Sequence, residues 1–190
     1  MRVVAYLKGT ASKSIKAPVR RMNMCVWDCY VDSDWAGDKE ISTRSHTGMV
    51  FLCNGAPVKW LSKKQITTSK ASAEAEIYAL STAAQALKLT YYRAQELGVT
   101  SAKFPGTLYV DNAAGVSFQK KTNPDTKLKG TFDLRSAWVK ELQDQEILQV
   151  EKVDTLLNVA DLLTKCHQRA SHNRLLAIID ERARELSLDM

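Results

Sequence analysis

The sequence predicts a mixed α/β domain: a five-stranded sheet with helices on its faces. Three observations carry this. Three short strand patterns follow one another between residues 24 and 65. The apolar period then switches from two to 3.6 between Ser69 and Gly98. Beyond Gly98, short apolar strands alternate with helical stretches. Consecutive strands joined by tight turns pair antiparallel, whereas strands reached through a helix add in parallel, by right-handed crossovers.

Each element has its own local reason. MCVWDCYVD (24–32) is rich in β-branched and aromatic residues and reads as the first strand. HTGMVFLCNG (46–55) is the second, and Asn54-Gly55 is a strong hairpin turn. PVKWLSKKQ (57–65) returns as the third. Ala73, Ile77, Leu80, Ala84, Leu87, Tyr91 and Ala94 then recur at helical spacing, and Gly98 supplies a stop. TLYVD (107–111) is a short buried strand, AAGVSFQKK (113–121) a short helix, and Asn123-Pro124 begins a loop. DLRSAWVKELQDQ (133–145) is an amphipathic helix, and EILQVEKVD (146–154) the fifth strand. A helix starts over 157–165, and another runs through SHNRLLAIIDERARELS. The first 21 residues read as a short helix or strand and a loop, loosely tied to the rest.

With 190 residues, 45% hydrophobic and 25% charged, the chain can bury one full core. No apolar run approaches the roughly 20 residues of a membrane span, and the start, MRVVAYLKGT, is too short in apolar residues for a signal peptide. The expected setting is intracellular, cytoplasmic or nuclear, without membrane. Cys25, Cys29, Cys53 and Cys166 form no CxxC pair and have no histidine cluster beside them, so free thiols are expected rather than zinc. Net charge is +6, and residues 1–21 carry all of it: Arg2, Lys8, Lys13, Lys16, Arg20 and Arg21, with no acid. A basic arm beside a neutral body is either a solubilising tail or an attractor of phosphates.

Four acids carry the candidate chemistry. Asp32 ends the apolar stretch of YVDSDWAGD, Glu76 lies in the helical SAEAEIYAL, Asp111 closes TLYVDN, and Asp161 lies in NVADLLTK. Alone, each has an ordinary reading as a turn former, helix cap or solvated residue. Together, at one sheet edge, they would make a carboxylate cluster of the kind that holds divalent metal ions for phosphodiester cleavage. If the strands of Asp32 and Asp111 are parallel neighbours, both carboxylates emerge at the same carboxyl edge. Glu76 lies roughly 60° from the centre of the apolar stripe and Glu74 roughly 100°, so Glu76 is better placed to face the sheet. Asp32 and Asp34 share a strand face, and periodicity leaves that choice open.

The motifs YVDSDWAGD, STRSHTG, VKWLSKKQ, SAEAEIYALSTAAQAL, LYVDNAAGVSF and NVADLLTK, in this order, resemble the ribonuclease H domain of copia-type LTR retrotransposon polyproteins. RVVAYLKGT resembles the segment joining that domain to the reverse transcriptase. The resemblance runs from residue 1 to about 166. It implies a ribonuclease H-like fold and Asp32, Glu76, Asp111 and Asp161 as catalytic and metal-holding residues, choosing Glu76 over Glu74 and Asp32 over Asp34. It implies two Mg2+ ions, replaceable by Mn2+, and no small-molecule cofactor. The implied activity is cleavage of the RNA strand of an RNA–DNA hybrid, and the implied partner is the reverse transcriptase domain of the same polyprotein. The organisation that follows is a basic connector (1–23), the ribonuclease H-like domain (24–166) and a C-terminal helical extension (167–190).

Some features depart from the family. KGTFDLRSAWVKEL keeps an acid at Asp133 but lacks the histidine usual there, VDTLLN replaces a proline-bearing turn, and the last motif ends Lys165-Cys166-His167. His167 is the nearby candidate for a product-release histidine. Ser69, Asn112, Lys63 and Lys64 are candidate substrate contacts. Lys59, Lys63, Lys64 and Lys70 form one basic group, and Lys120, Lys121, Lys127 and Lys129 another; each is either a phosphate track or a solvated face. The four tryptophans, Trp27, Trp35, Trp60 and Trp138, are read as packing residues rather than base-stacking platforms. The alternatives to an active nuclease are an inactive nucleic-acid-binding remnant of the same fold and a related integrase or resolvase. A glutamate in the first long helix, straight after three strands, argues against an integrase.

Overall fold

Asn54 and Gly55 both adopt positive φ, 49° and 74°, the backbone of a two-residue hairpin turn whose twist suits antiparallel strands. They join β2 (His46–Cys53) to β3 (Ala56–Lys64). The Asn54 side chain also accepts from the Val26 amide and donates to the Met24 carbonyl, at 2.8 and 3.0 Å. The turn is thereby fastened to the chain entering β1 (Trp27–Asp34). The computed structural model describes residues 2–14, 24–35, 43–111 and 131–185. The expected helix over 113–121, Asn112 and the second lysine group lie outside the described residues.

The sheet has five strands in the order β3-β2-β1-β4-β5, with β4 spanning Gly106–Val110 and β5 Leu148–Lys152. β1–β2 and β2–β3 pair antiparallel, while β1–β4 and β4–β5 pair parallel. This is the mixed α/β architecture that the sequence predicts. The first strand begins later than expected: Cys25 makes only an isolated bridge to Ala102. It also continues past Asp32 to Asp34, so Asp32 sits within the strand rather than at its end.

Alternate residues of the sheet feed two cores. On one face Cys29, Val31, Met49, Phe51, Leu108 and Val110 pack under α2 (Ser72–Glu96) and α3 (Thr131–Asp144). Gly98, with φ 64°, ends α2 as its sequence suggests. On the other face Tyr30, Val50 and Leu52 meet Val159, Ala160 and Ile178. The last of these belongs to α4 (Arg169–Glu185), in which Leu175 is fully buried. The N-terminal segment is a helix, α1 (Arg2–Gly9), and Tyr6 stacks edge-on against His172 of α4.

Two expectations need correction. The helix over 157–165 is instead two 3-10 segments, Thr155–Leu157 and Val159–Leu163, separated by Asn158 in extended conformation. The buried Asn158 carboxamide donates to the Val31 carbonyl (3.0 Å) and accepts from the Ala160 amide (3.2 Å), a tie to β1 that a continuous helix would break. Two of the four tryptophans are not packed in the core. Trp27 stacks on Phe51 and Trp138 packs against the α2 side, but Trp60 and Trp35 are 55% and 42% exposed. Trp60 lies on β3, at one edge of the sheet.

Of the cysteines, Cys29 is buried, Cys25 and Cys53 are half-buried and Cys166 is exposed; all are free thiols. Burial pushes the Cys29 thiol far above its ordinary value and Cys53 up to about 11.

The hairpin gives a stability test. Gly55→Ala places a side chain on a left-handed residue and should lower unfolding stability by about 1 kcal/mol, read by urea denaturation.

Candidate active site

The parallel pairing of β1 and β4 sets the site. Its register runs from Asp28↔Thr107 to Val31↔Val110, so the residue after each paired stretch is an aspartate, Asp32 within β1 and Asp111 just past the end of β4. Both carboxylates leave at the same edge, as the sequence argument requires. Asp161 arrives from the opposite layer, on the second 3-10 segment. Ligand atoms of Asp32, Asp111 and Asp161 all lie within 4.8 Å of one another, the one such acidic group among the described residues.

Glycine makes that approach possible. Gly48 on β2 is the register partner of Asp32. A Cβ there would fall 2.6 Å from Thr164 Cγ2 and 2.7 Å from the Ala160 carbonyl oxygen. The absent side chain is the space into which the Asp161 segment settles.

Glu76 comes from α2, on the other side of the sheet. It lines a small cavity of about 10 Å³ together with Asp32, Asp111, Val31, Ser33 and Val110. Glu76 therefore borders the site, while its carboxylate is outside the tight group of three. Glu74 turns elsewhere and accepts a hydrogen bond from the Lys70 amide at 2.7 Å. Asp34 sits at the far end of β1 opposite His46 and is not in the group.

Two buried carboxamides hold the backbone just ahead of an acid. Asn158 grips the Val31 carbonyl, one residue before Asp32. Gln65, 1% exposed, donates to the Ala75 carbonyl (2.8 Å), one residue before Glu76, and to Thr47 Oγ1 (3.1 Å). Ser69 is buried, and its hydroxyl donates to Gln65 Oε1 at 3.2 Å. Lys63 and Lys64 are exposed on β3.

The charge at the site is only partly balanced. Lys165 Nζ lies 3.0 Å from Asp161 Oδ1 and 3.3 Å from Asp32 Oδ2. Thr164 Oγ1 donates a hydrogen bond to the same Asp32 oxygen. His167 Nε2 is 2.9 Å from the Asp161 carbonyl oxygen, so the product-release candidate is held beside the site. Burial pushes the Asp111 carboxyl above its ordinary value, with Asp32 adding to the rise and Lys165 opposing it. Asp161 is raised by burial too, Lys165 opposing and Asp32 adding. For Lys165, burial alone would lower the ammonium, but Asp32 and Asp161 outweigh it and hold the charged form.

The sequence reading missed Gly48, Asn158, Gln65, Thr164 and Lys165. Lys165 had a signal, since it stands four residues after Asp161, the spacing at which acid and base meet on one helical face.

No protein-family model matches the chain. A crystal structure titled LC11-RNase H1 in complex with RNA/DNA hybrid superposes with a TM-score of 0.50 at 15% identity, covering 70% of this chain and 88% of that one. The fold is that of ribonuclease H. A retrovirus-related Pol polyprotein from transposon TNT 1-94 of Nicotiana tabacum is 32% identical over 136 residues, 72% of this chain. One from transposon RE1 of Arabidopsis thaliana is 27% identical over 164 residues, 86% of this chain. A secreted RxLR effector protein 161 of Plasmopara viticola is 43% identical over 84 residues, 44% of this chain and 57% of that protein. The chain spans only 10% and 11% of the two Pol polyproteins. Fold and relatives agree with the resemblance to the ribonuclease H domain of a copia-type element. Among the described residues, no helix is long and apolar enough to cross a membrane.

Two variants test this geometry. Gly48→Ala should push the 160–164 segment off β2 and cost about 1–3 kcal/mol, with loss of any metal-induced rise in melting temperature. Asp111→Asn should melt higher than wild type at pH 7 in EDTA. A raised folded pKa contributes stability below the ordinary aspartate value and loses it as pH rises through the folded value. The difference between the two proteins should therefore shrink as pH falls towards about 4, followed by thermal melts across pH.

Proposed function

We propose that the chain is the ribonuclease H module of a retroelement Pol polyprotein, a divalent-metal-dependent endonuclease acting on the RNA strand of an RNA–DNA hybrid. The observation that carries this reading is the group of Asp32, Asp111 and Asp161 within 4.8 Å at the carboxyl edge of a ribonuclease H fold.

The residues suit a magnesium centre. All donors are hard carboxylate oxygens, the set that magnesium and manganese prefer. The ammonium of Lys165 between Asp32 and Asp161 marks this spot as one that takes a cation. Asp32 and Asp111 would hold ions from the sheet, Asp161 from the 3-10 segment and Glu76 from α2. When bound, two such ions supply an activated water and stabilise the leaving oxygen.

The chain's own part is orientation and water exclusion. Asn158 and Gln65 fix the backbone ahead of two of the acids. Val31, Ala79, Leu80 and Val110 supply the apolar part of the cavity lining. Lys63 and Lys64, exposed on β3, are assigned to phosphates, and Asn112, which follows Asp111 directly, to the hybrid's minor groove. The Ser69 hydroxyl supports Gln65. The connector 1–23 would lead from the reverse transcriptase and the helix after residue 167 would brace the module.

The test is cleavage of a labelled RNA–DNA hybrid in Mg2+ and in EDTA, with single-stranded RNA, double-stranded RNA and DNA as controls. Metal-dependent cutting of the hybrid's RNA strand alone is expected, falling by about a hundred- to a thousandfold or more in Asp111→Asn. Binding of hybrid without cutting in Mg2+ or Mn2+ would point to the inactive remnant, and full activity in Asp111→Asn would remove Asp111 from the site.

A further inference from the structure

The Lys165 side chain has no role in the mechanism above, yet it sits at its centre. Its nitrogen contacts one oxygen of Asp161 and one of Asp32. The chain behind it is wound tightly round a single carbonyl. The amides of Thr164 and Lys165 bond to the Asp161 oxygen at 3.2 and 3.1 Å, and His167 Nε2 reaches it at 2.9 Å. Thr164 is anchored to Asp32 as well. The lysine stem thus starts from a fixed base beside the acids, while its side chain remains 38% exposed, which leaves it a route to solvent.

An ammonium is a compact charge on a flexible stem. At these distances it fills the space that an ion bonded to the same two oxygens at about 2.0–2.1 Å would need. Two cations on the same two oxygens would also repel each other. They cannot share the Asp32–Asp161 pair.

We propose that Lys165 is a tethered counter-cation that occupies the Asp32–Asp161 pair in the metal-free protein and is displaced when a divalent ion binds there. It stabilises the empty acidic group and sets a threshold for metal occupancy. A lysine seated in roughly nine molecules of ten weakens apparent metal affinity about tenfold. The proposal rests on the metal reading of the preceding subsection. An ordinary structural salt bridge would instead be indifferent to metal.

The experiment is reductive methylation of the full chain, with modification of Lys165 followed by peptide mass spectrometry in EDTA and at rising Mg2+. Calorimetric Mg2+ and Mn2+ titrations of wild type and Lys165→Met run beside it. Lys165 should be slow to react in EDTA and severalfold faster once metal binds, and Lys165→Met should bind metal about tenfold more tightly. Metal binding to the wild type with Lys165 labelling unchanged would overturn the proposal and leave the metal centre standing. Absence of binding to both proteins would overturn the two together. The labelling arm uses wild type, so a misfolded variant would not spare the proposal.

Discussion

Repulsion between like charges is the constraint on which this structure turns. Three carboxylates with atoms within 4.8 Å of one another repel by on the order of 3 kcal/mol per ionised pair at an effective dielectric near 20. A chain free to relax would spread them apart. Here it cannot, because two leave from adjacent parallel strands in fixed register and the segment carrying the third is pressed against a glycine. Sheet pairing and two apolar cores supply the rigidity that keeps the acids close.

The response to that repulsion is visible at each level. Burial and mutual repulsion lift the proton affinity of Asp111 and Asp161. One lysine bridges two of the three acids, and one threonine hydroxyl shares the same Asp32 oxygen. Asn158 and Gln65, both almost fully buried, are spent on backbone carbonyls next to Asp32 and Glu76. Buried carboxamides are costly unless bonded, and bonded they fix one arrangement. Asn158 and Gln65 thus steady the acids from within the core, and a substitution at either would act on the site from there.

The sheet was legible because its signals are local. Alternation in 24–65, the Asn54-Gly55 turn and the helical period of α2 each depend on a few adjacent residues. The meeting of Asp32 and Asp111 was legible too, since it needs only parallel neighbouring strands. The shape of 157–165 was not. Its sequence suits a helix, but Asn158 is drawn to the Val31 carbonyl over 127 positions of chain, a tie that no local pattern contains. The exposure of Trp60 was not legible either: whether an aromatic side chain on a strand is covered depends on which strand is at the edge. Lys165 reads locally as an ordinary partner four residues from Asp161, and its reach to Asp32 emerges only in the fold.

The central claim is that the Asp32–Asp111–Asp161 group is a cation site built under electrostatic tension. Anomalous diffraction at the manganese edge, from crystals of the full chain soaked in Mn2+, tests it most directly. The account predicts manganese bonded to Asp32 and Asp111, with Glu76 or Asp161 completing the set. Manganese found only elsewhere on the protein, with the three carboxylates unchanged, would contradict it.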